Sequence, residues 1–240
     1  YDGVLAFGEV VREIYVRKGW TRRAWTWHEA ADTHLFRPQR QGGRHYDLIW
    51  IGNWGDEERS AELQEFLLTP IRELRLTAGI FGVRYPEEAL RALKGAGAGY
   101  GGWLPNHLVP QVFGRAALTV HVPRRPYVKR LPGIPTIRVF EALACGIPLI
   151  CTPWQDSENL FRPGHDYLMV DNREAMKKAI RLLLSDREQA VAMARHGLET
   201  IKNRHTCAHR VDELLSICQE LSVGERRPPQ EPFAFMETKP

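Results

Sequence analysis

Glu141 and the loop before its helix are the residues of this sequence best placed to do chemistry. The loop reads Gly133-Ile134-Pro135-Thr136, and from Ile137 to Ala144 apolar residues recur at helical spacing. The first N–H groups of a helix lack partners, and together with the positive end of the helix dipole they attract anions. Glu141 lies within the first two turns, near enough to meet hydroxyl groups on the molecule that carries the anion. A diphosphate joined to a ribose has both features.

The same stretch predicts a loop, a helix, a tight turn and a buried strand, in that order. Pro135 suits the first helical position, where its missing N–H costs nothing. Gly146 and Pro148 indicate the end of the helix, and Leu149-Ile150 opens the strand. A plain strand–helix–strand crossover with Cys145 in its core would give the same pattern, so both interpretations stand at this point.

Strands alternate with helices from Asp47 to Leu184, which predicts an α/β fold with a doubly wound parallel sheet. Ligands of such sheets bind beyond the carboxyl ends of the strands. Gly52-Asn53, Arg124-Arg125 and the Gly133 loop all follow strands, so we expect them to converge. Arg59, in the helix after Gly52, is either a further phosphate ligand or a solvated helix arginine.

Two segments near the expected site are predicted as loops. Gly95 to Trp103 is a glycine run, which is typical of a flexible loop. Arg124 to Arg130 is the densest basic segment, and its cations would concentrate anionic ligands beside the Gly133 loop. A solvated basic loop is the alternative, and RNA binding is disfavoured because only Tyr127 interleaves the cations. Further on, Ser157 to Phe161 is predicted as a helix.

The first 38 residues predict a small strand–helix–strand unit followed by a hinge. Such a unit cannot bury both faces alone, so the chain is expected to begin inside a larger domain, with Trp25 and Trp27 lacking cover. His28, Glu29 and Asp32 are either a catalytic or metal-binding cluster or a polar hinge with helix-capping acids, and the polar hinge is our expectation.

Composition limits the function classes. The chain has 240 residues, 43% of them hydrophobic, and a formal charge of +4 spread among mixed charges, which argues against a general nucleic-acid coat. No apolar run approaches the roughly 20 residues that cross a bilayer. The four cysteines show no CxxC spacing and are expected to be reduced thiols. His205 and His209 have no third ligand in view, so no metal site is expected.

The Glu141 helix carries a motif that resembles the Glu-Ala-Met-Ala-Cys-Gly-x-Pro signature of GT-B fold glycosyltransferases, and more narrowly their CgeB-like branch: Phe140-Glu141-Ala142-Leu143-Ala144-Cys145-Gly146-Ile147-Pro148. The resemblance covers nearly the whole chain to Leu221 and is strongest from Trp103 to Pro153. It implies a donor-nucleotide site made of Glu141, Gly133, Ile134, Pro135, Thr136, Arg138, Trp103, Leu104 and Pro105. The residues that we expect to bind phosphate are Gly52, Asn53, Arg59, Arg124 and Arg125.

Two departures from the family pattern concern charge. Gly133 stands where many retaining members have a glutamate that contacts the donor sugar. Asn53 and Glu58 stand where many members have an arginine and a lysine that hold the donor phosphates. The basic segment is therefore the expected source of positive charge, and the catalytic residues stay unassigned.

The resemblance implies a Rossmann-like GT-B carboxy-terminal domain preceded by a remnant βαβ unit of an amino-terminal domain. The expected organisation is the end of the amino-terminal domain and hinge at 1–38, a linker at 39–46, a nucleotide-sugar-binding domain at 47–204, a crossing helix at 205–223 and a tail without stable structure at 224–240. In the family the final helix crosses back to the amino-terminal domain.

The expected function is transfer of a sugar from a UDP- or GDP-type nucleotide-sugar donor to an acceptor that is a glycan, a lipid or a protein. No cofactor, metal, nucleic-acid partner or transmembrane segment is expected. The expected compartment is the cytoplasm, with peripheral attachment to the inner membrane left open. A nucleotide-sugar epimerase on the same fold and a non-catalytic nucleotide-sugar-binding module are the alternatives.

Overall fold

The computed structural model describes residues 1–39, 43–55 and 57–224 and contains two parallel sheets. The strands, in chain order, are β1 (Val4–Ala6), β2 (Ala24–Thr26), β3 (Tyr46–Ile51), β4 (Ala78–Phe81), β5 (Gly99–Gly102), β6 (Ala116–His121), β7 (Leu149–Cys151) and β8 (Leu168–Met169). β1 and β2 form a small sheet, and the other six form the main sheet in the order β5-β4-β3-β6-β7-β8. All pairs are parallel, so the predicted doubly wound α/β fold is confirmed.

Helices follow most of the strands. They are α1 (Glu9–Arg17), α2 (Glu57–Leu63), α3 (Thr69–Leu74), α4 (Glu87–Ala96), α5 (Val109–Phe113), α6 (Arg125–Arg130), α7 (Ile137–Ala144), α8 (Arg173–Ser185), α9 (Arg187–Arg204) and α10 (Cys207–Gly224). A π-helical segment, Gln64–Leu68, joins α2 to α3, and a 3-10 turn, Asn106–Leu108, precedes α5. None of the described helices combines the length and apolar character of a membrane span.

Hydrophobic cores lie on both faces of the main sheet. Along β3, Leu48 and Trp50 pack into one buried cluster while Ile49 packs into the other, because alternate side chains of a strand point to opposite faces. A sheet covered on both faces leaves its strand ends as the places for polar groups. The central strands β3 and β6 are neighbours from which the chain winds outward in both directions, so the loops after them diverge.

Several predicted elements differ from those observed. The glycine run contains an edge strand, β5, because its backbone pairs with β4. A Cβ at Gly101 would collide with the ring of Phe81, so this strand has room only for glycine at that position. The basic segment is the helix α6 rather than a loop, with Arg124 as its N-cap. Ser157 to Phe161 forms turns, since the Asp156 carboxylate accepts the N–H groups of Leu160 and Phe161.

The amino-terminal unit is covered by the last helix. Trp25 Nε1 donates to the Glu220 carboxylate at 3.1 Å, and Trp27 Nε1 donates to the Arg210 carbonyl at 2.8 Å. Both indoles are half-buried, so the expectation that they lack cover is wrong. The predicted tail beyond Gly224 and part of the predicted linker, residues 40–42, lie outside the described residues.

Candidate functional site

A cavity of about 400 Å³ opens where the loops after β3 and β6 diverge. Arg59, Arg84, Arg124 and Arg138 line it, and we call it the arginine cavity. It lies at the point where the strand order of the sheet reverses, which is the ligand-binding position of doubly wound sheets. None of the described residues that line it is acidic, so the cavity favours anions.

A second cavity, of about 340 Å³, adjoins the first. It is lined by Trp103, Leu104 and Asn106, and we call it the Trp103 cavity. Gly52-Asn53 and Arg138 border both cavities. The side chain of Trp103 is 72% exposed, so a flat apolar face is open at this position. Together the two cavities form a continuous site with a cationic part and an apolar part.

Glu141 lies one turn after Arg138 on α7 and is almost fully buried. Asn106 Nδ2 donates to Oε1 of Glu141 at 3.2 Å, and Arg138 Nη1 lies 2.5 Å from Oε2. Burial raises the pKa of Glu141, and the charge of Arg138 partly offsets this effect. Both partners of the carboxylate line the Trp103 cavity, so the Glu141 carboxylate lies directly behind the wall of that cavity.

Arg59 is held in the wall of the arginine cavity. Its Nη1 donates to the carbonyl of Val122, and its guanidinium lies 5.7 Å from the centre of the Trp50 ring. Arg59 is only 8% exposed, so the favoured interpretation of a solvated helix arginine is wrong. Because its contacts tie the start of α2 to the end of β6, Arg59 fixes one wall of the cavity and adds positive charge to it.

His121 is a site residue that the sequence analysis missed. It ends β6, is buried, and its Nε2 lies 3.5 Å from Oγ1 of Thr136. Burial, followed by the positive charges of Arg59 and Arg138, lowers the pKa of His121 to about 3. The imidazole is therefore neutral near pH 7 and offers a hydrogen bond without adding charge. The sequence offered one indication of this role, because His121 lies at the end of a predicted strand and ligands bind beyond the carboxyl ends of such strands.

The structure brings together most of the residues that the sequence indicated. Those that line the two cavities are Gly52, Asn53, Arg59, Arg124, Thr136, Arg138, Trp103 and Leu104, with Glu141 behind Arg138 and Asn106. Pro105 precedes Asn106 but does not line either cavity.

Four predicted residues lie away from the cavities. Gly133, Ile134 and Pro135 are buried, and Ile134 packs with Ala6 of β1. The helix begins at Ile137 rather than Pro135, which leaves these residues behind the cavity wall. Arg125 Nε contacts the carboxylate of Glu62 at 3.2 Å, outside the lining of the arginine cavity.

The three polar hinge residues have separate environments. Asp32 Oδ1 accepts the N–H of His34 in a turn, and no helix begins there, so the predicted helix-capping role of Asp32 is wrong. His28 Nε2 lies 2.9 Å from Oε2 of Glu158. Glu29 is half-buried, and burial, followed by the negative charge of Glu141, raises its pKa to about 7. In the described part of the chain, no three His, Cys, Asp or Glu side chains are grouped to hold a metal ion.

Comparisons with known proteins agree with this architecture. The profile of a family described as glycosyl transferase-like matches residues 59–216. No curated protein matches the sequence. Similar solved structures include a sucrose-phosphate synthase from Thermosynechococcus elongatus, at 15% identity and a TM-score of 0.71 over 93% of this chain and 59% of that one.

Two further structures contain UDP. One is TarM from S. aureus, in complex with fondaparinux, alpha-GlcNAc-glycerol and UDP, at 11% identity and a TM-score of 0.68 over 90% of this chain and 43% of that one. The other is HepE from Anabaena, in complex with UDP and glucose, at 16% identity and a TM-score of 0.66 over 92% of this chain and 63% of that one. The chain thus spans less than two thirds of the length of these three structures, and identities this low show the fold alone. By its sequence match, the chain belongs to the glycosyl transferase-like family, and it has the Rossmann-like domain of the GT-B fold.

Proposed function

We propose that this chain supplies the donor-nucleotide site of a glycosyltransferase, which transfers a sugar from a nucleoside-diphosphate sugar to an acceptor. The observation that carries the proposal is the position of Arg138. It borders both cavities and contacts the buried carboxylate of Glu141 at 2.5 Å. A nucleoside diphosphate needs a cationic site for its phosphates, a hydrogen-bond acceptor for its ribose hydroxyl groups and an apolar site for its base, in that order. Arg138 is in contact with all three parts of the site.

Each part of the donor has a matching part of the site. The diphosphate would occupy the arginine cavity, near Arg124 and Arg138, and the nucleobase would enter the Trp103 cavity. Glu141, between them, would accept hydrogen bonds from the ribose. The guanidinium groups of Arg138 and Arg59 are held by Glu141 and by the carbonyl of Val122, so they would stabilise the charge that develops on the diphosphate as the sugar leaves.

The finer assignments depend on the sequence motif. The segment Phe140 to Pro148 supports the CgeB-like branch of the GT-B enzymes. A UDP- or GDP-type donor and a glycan, lipid or protein acceptor complete the proposal. A cytoplasmic location is supported by Cys145 and Cys151, which are buried free thiols.

A thermal-shift experiment on the whole chain tests the proposal. UDP, GDP and ADP would be compared with their nucleosides and with inorganic pyrophosphate. A ligand that binds only the folded state at 100 times its Kd adds about 2.7 kcal/mol to the free energy of unfolding, which raises the Tm. We expect at least one nucleoside diphosphate to raise the Tm more than its nucleoside or pyrophosphate does. If none of the diphosphates changes the Tm, the proposed function is wrong.

A further inference from the structure

The loop between α6 and α7 rests on the amino-terminal unit. Ile134 of this loop is buried in one small cluster with Ala6 of β1 and Val11 of α1. Gly8 lies so close to Ile134 that any Cβ at Gly8 would collide with it. The loop, 131–136, therefore cannot shift without disturbing the unit beneath it.

This loop also connects two of the cavity arginines. Arg124 is the N-cap of α6, before the loop, and Arg138 is in the first turn of α7, after it. Tyr127 of α6 and Leu131 pack against the same cluster as Ile134. The position of the loop thus influences the separation of the two guanidinium groups across the arginine cavity.

Glu158 joins the amino-terminal unit to the main domain. Its Oε1 accepts the N–H of Glu9, the first residue of α1, at 2.9 Å. Its Oε2 lies 2.9 Å from Nε2 of His28 in the hinge. The N-cap of α1 is Gly8, which has no side chain to cap the helix, so a carboxylate from 149 residues away caps it instead.

Glu158 also lies against the loop. Gly133 has a φ of +84°, and a Cβ at this position would be 2.9 Å from Oε1 of Glu158 and would collide with Oγ of Ser157. The N–H of Gly133 donates to the carbonyl of Gln155 at 2.7 Å. Only a glycine leaves room for the carboxylate here, so the hinge, α1 and the loop all meet at Glu158.

We propose that Glu158 is a positioning residue for the phosphate part of the nucleotide site. By capping α1 and pairing with His28, it holds loop 131–136 in the conformation that places Arg124 and Arg138 on the arginine cavity. Glu158 acts through this loop and is not among the residues that line either cavity. The inference rests on the proposed function, because it concerns how tightly a diphosphate is held.

Titrations of UDP and uridine into wild type, Glu158→Ala and Glu158→Gln test this role. We expect Glu158→Ala to weaken UDP roughly 2–30-fold, the range for residues that modulate a distant site, and to leave uridine unchanged. Glu158→Gln keeps an acceptor for the N–H of Glu9 but loses the charge opposite His28, so it should retain part of the affinity. Glu199→Ala, an exposed change on α9, is the matched control and should bind UDP like wild type.

Hydrogen exchange separates positioning from general destabilisation. In the ligand-free Glu158→Ala variant, we expect the amides of 131–136 to exchange faster and those of β6 and β7 to exchange as in wild type. The positioning role would be overturned if the amides of β6 and β7 exchanged faster by the same factor as those of 131–136. It would also be overturned if Glu158→Ala lost as much affinity for uridine as for UDP. Unchanged UDP binding by Glu158→Ala would overturn it as well while leaving the proposed function intact. Failure of the wild-type chain to bind any of UDP, GDP and ADP would overturn both.

Discussion

Glu29 follows β2 and is close enough to Glu141 to feel the charge of its carboxylate. Its carboxyl group is half-buried, and Oε2 has no hydrogen-bond partner within the described ranges. Burial and the nearby charge of Glu141 raise its pKa to about 7. The contribution of such a carboxyl group to the free energy of unfolding is fully present at pH values below its ordinary pKa. The contribution is lost as the pH rises toward 7, because in that range the unfolded state releases the proton and the folded state keeps it.

We predict that Glu29→Gln removes this pH dependence. Relative to wild type, the free energy of unfolding of the variant should increase by roughly 1–3 kcal/mol between pH 5 and pH 8. The measurement is urea denaturation at both pH values. The buried histidines His121 and His205, whose pKa values are lowered to about 3 and about 4, act in the opposite direction below pH 6.5. Both histidines are present in the variant and in the wild type, so their contribution cancels in the difference between the two free energies of unfolding. A difference that does not change with pH would show that Glu29 is ionised throughout.

The sequence was enough to place Glu141 and Arg138 together, but it did not predict the environments of Glu29 and Glu158. Glu141 and Arg138 lie one turn apart on one helix, so their proximity follows from helical spacing alone. Glu29 and Glu158 acquire their environments from contacts between distant parts of the chain. Helical or strand periodicity carries no information about such contacts.

The helix α6 gives two neighbouring arginines different surroundings. Arg124, its N-cap, lines the arginine cavity, whereas Arg125 contacts Glu62 outside it. The prediction of a loop gave Arg124 and Arg125 the same role. The helix directs their side chains to different surroundings. This difference provides a matched pair of variants.

We predict that Arg124→Ala weakens UDP by about 1–2 kcal/mol, at the low end for hydrogen bonds to charged groups because the side chain is exposed. Arg125→Ala should change UDP affinity less than about 2-fold, since its side chain points to Glu62. Calorimetric titration of both variants with UDP is the measurement. Added salt should reduce the difference between the variants. Equal losses for Arg124→Ala and Arg125→Ala would contradict the lining that the structure shows, and equal losses for UDP and uridine would indicate a structural role.

Predictions of individual helices and loops failed where strand pairing or a single hydrogen-bonded turn decided the local structure. The glycines of β5 have low strand propensity, but pairing with β4 satisfies their backbone groups. The turn after Asp156 replaces the expected helix because the carboxylate takes two backbone N–H groups. By contrast, the Asn172 and Asp186 side chains cap α8 and α9 by accepting N–H groups three residues ahead, a pattern that depends only on neighbouring residues.

For the whole molecule, the alternation of strands and helices was enough to predict the parallel sheet and the edge of the sheet at which the arginine cavity opens. Gly52, Arg124 and Arg138 converge there because the carboxyl ends of parallel strands share one edge. The seating of the amino-terminal unit on loop 131–136 was not predictable, since it depends on contacts such as Glu9 to Glu158, 149 residues apart.

Under the proposed function, a nucleoside diphosphate spans both cavities with its ribose at Glu141. Calorimetric titration of UDP into the wild-type chain and Glu141→Ala tests it most directly, with Glu87→Ala on the exposed face of α4 as the control. We expect Glu141→Ala to weaken UDP binding by about 1.5–3 kcal/mol, the range for hydrogen bonds to a charged group, and Glu87→Ala to have no effect. An unchanged Kd for a correctly folded Glu141→Ala variant would contradict it.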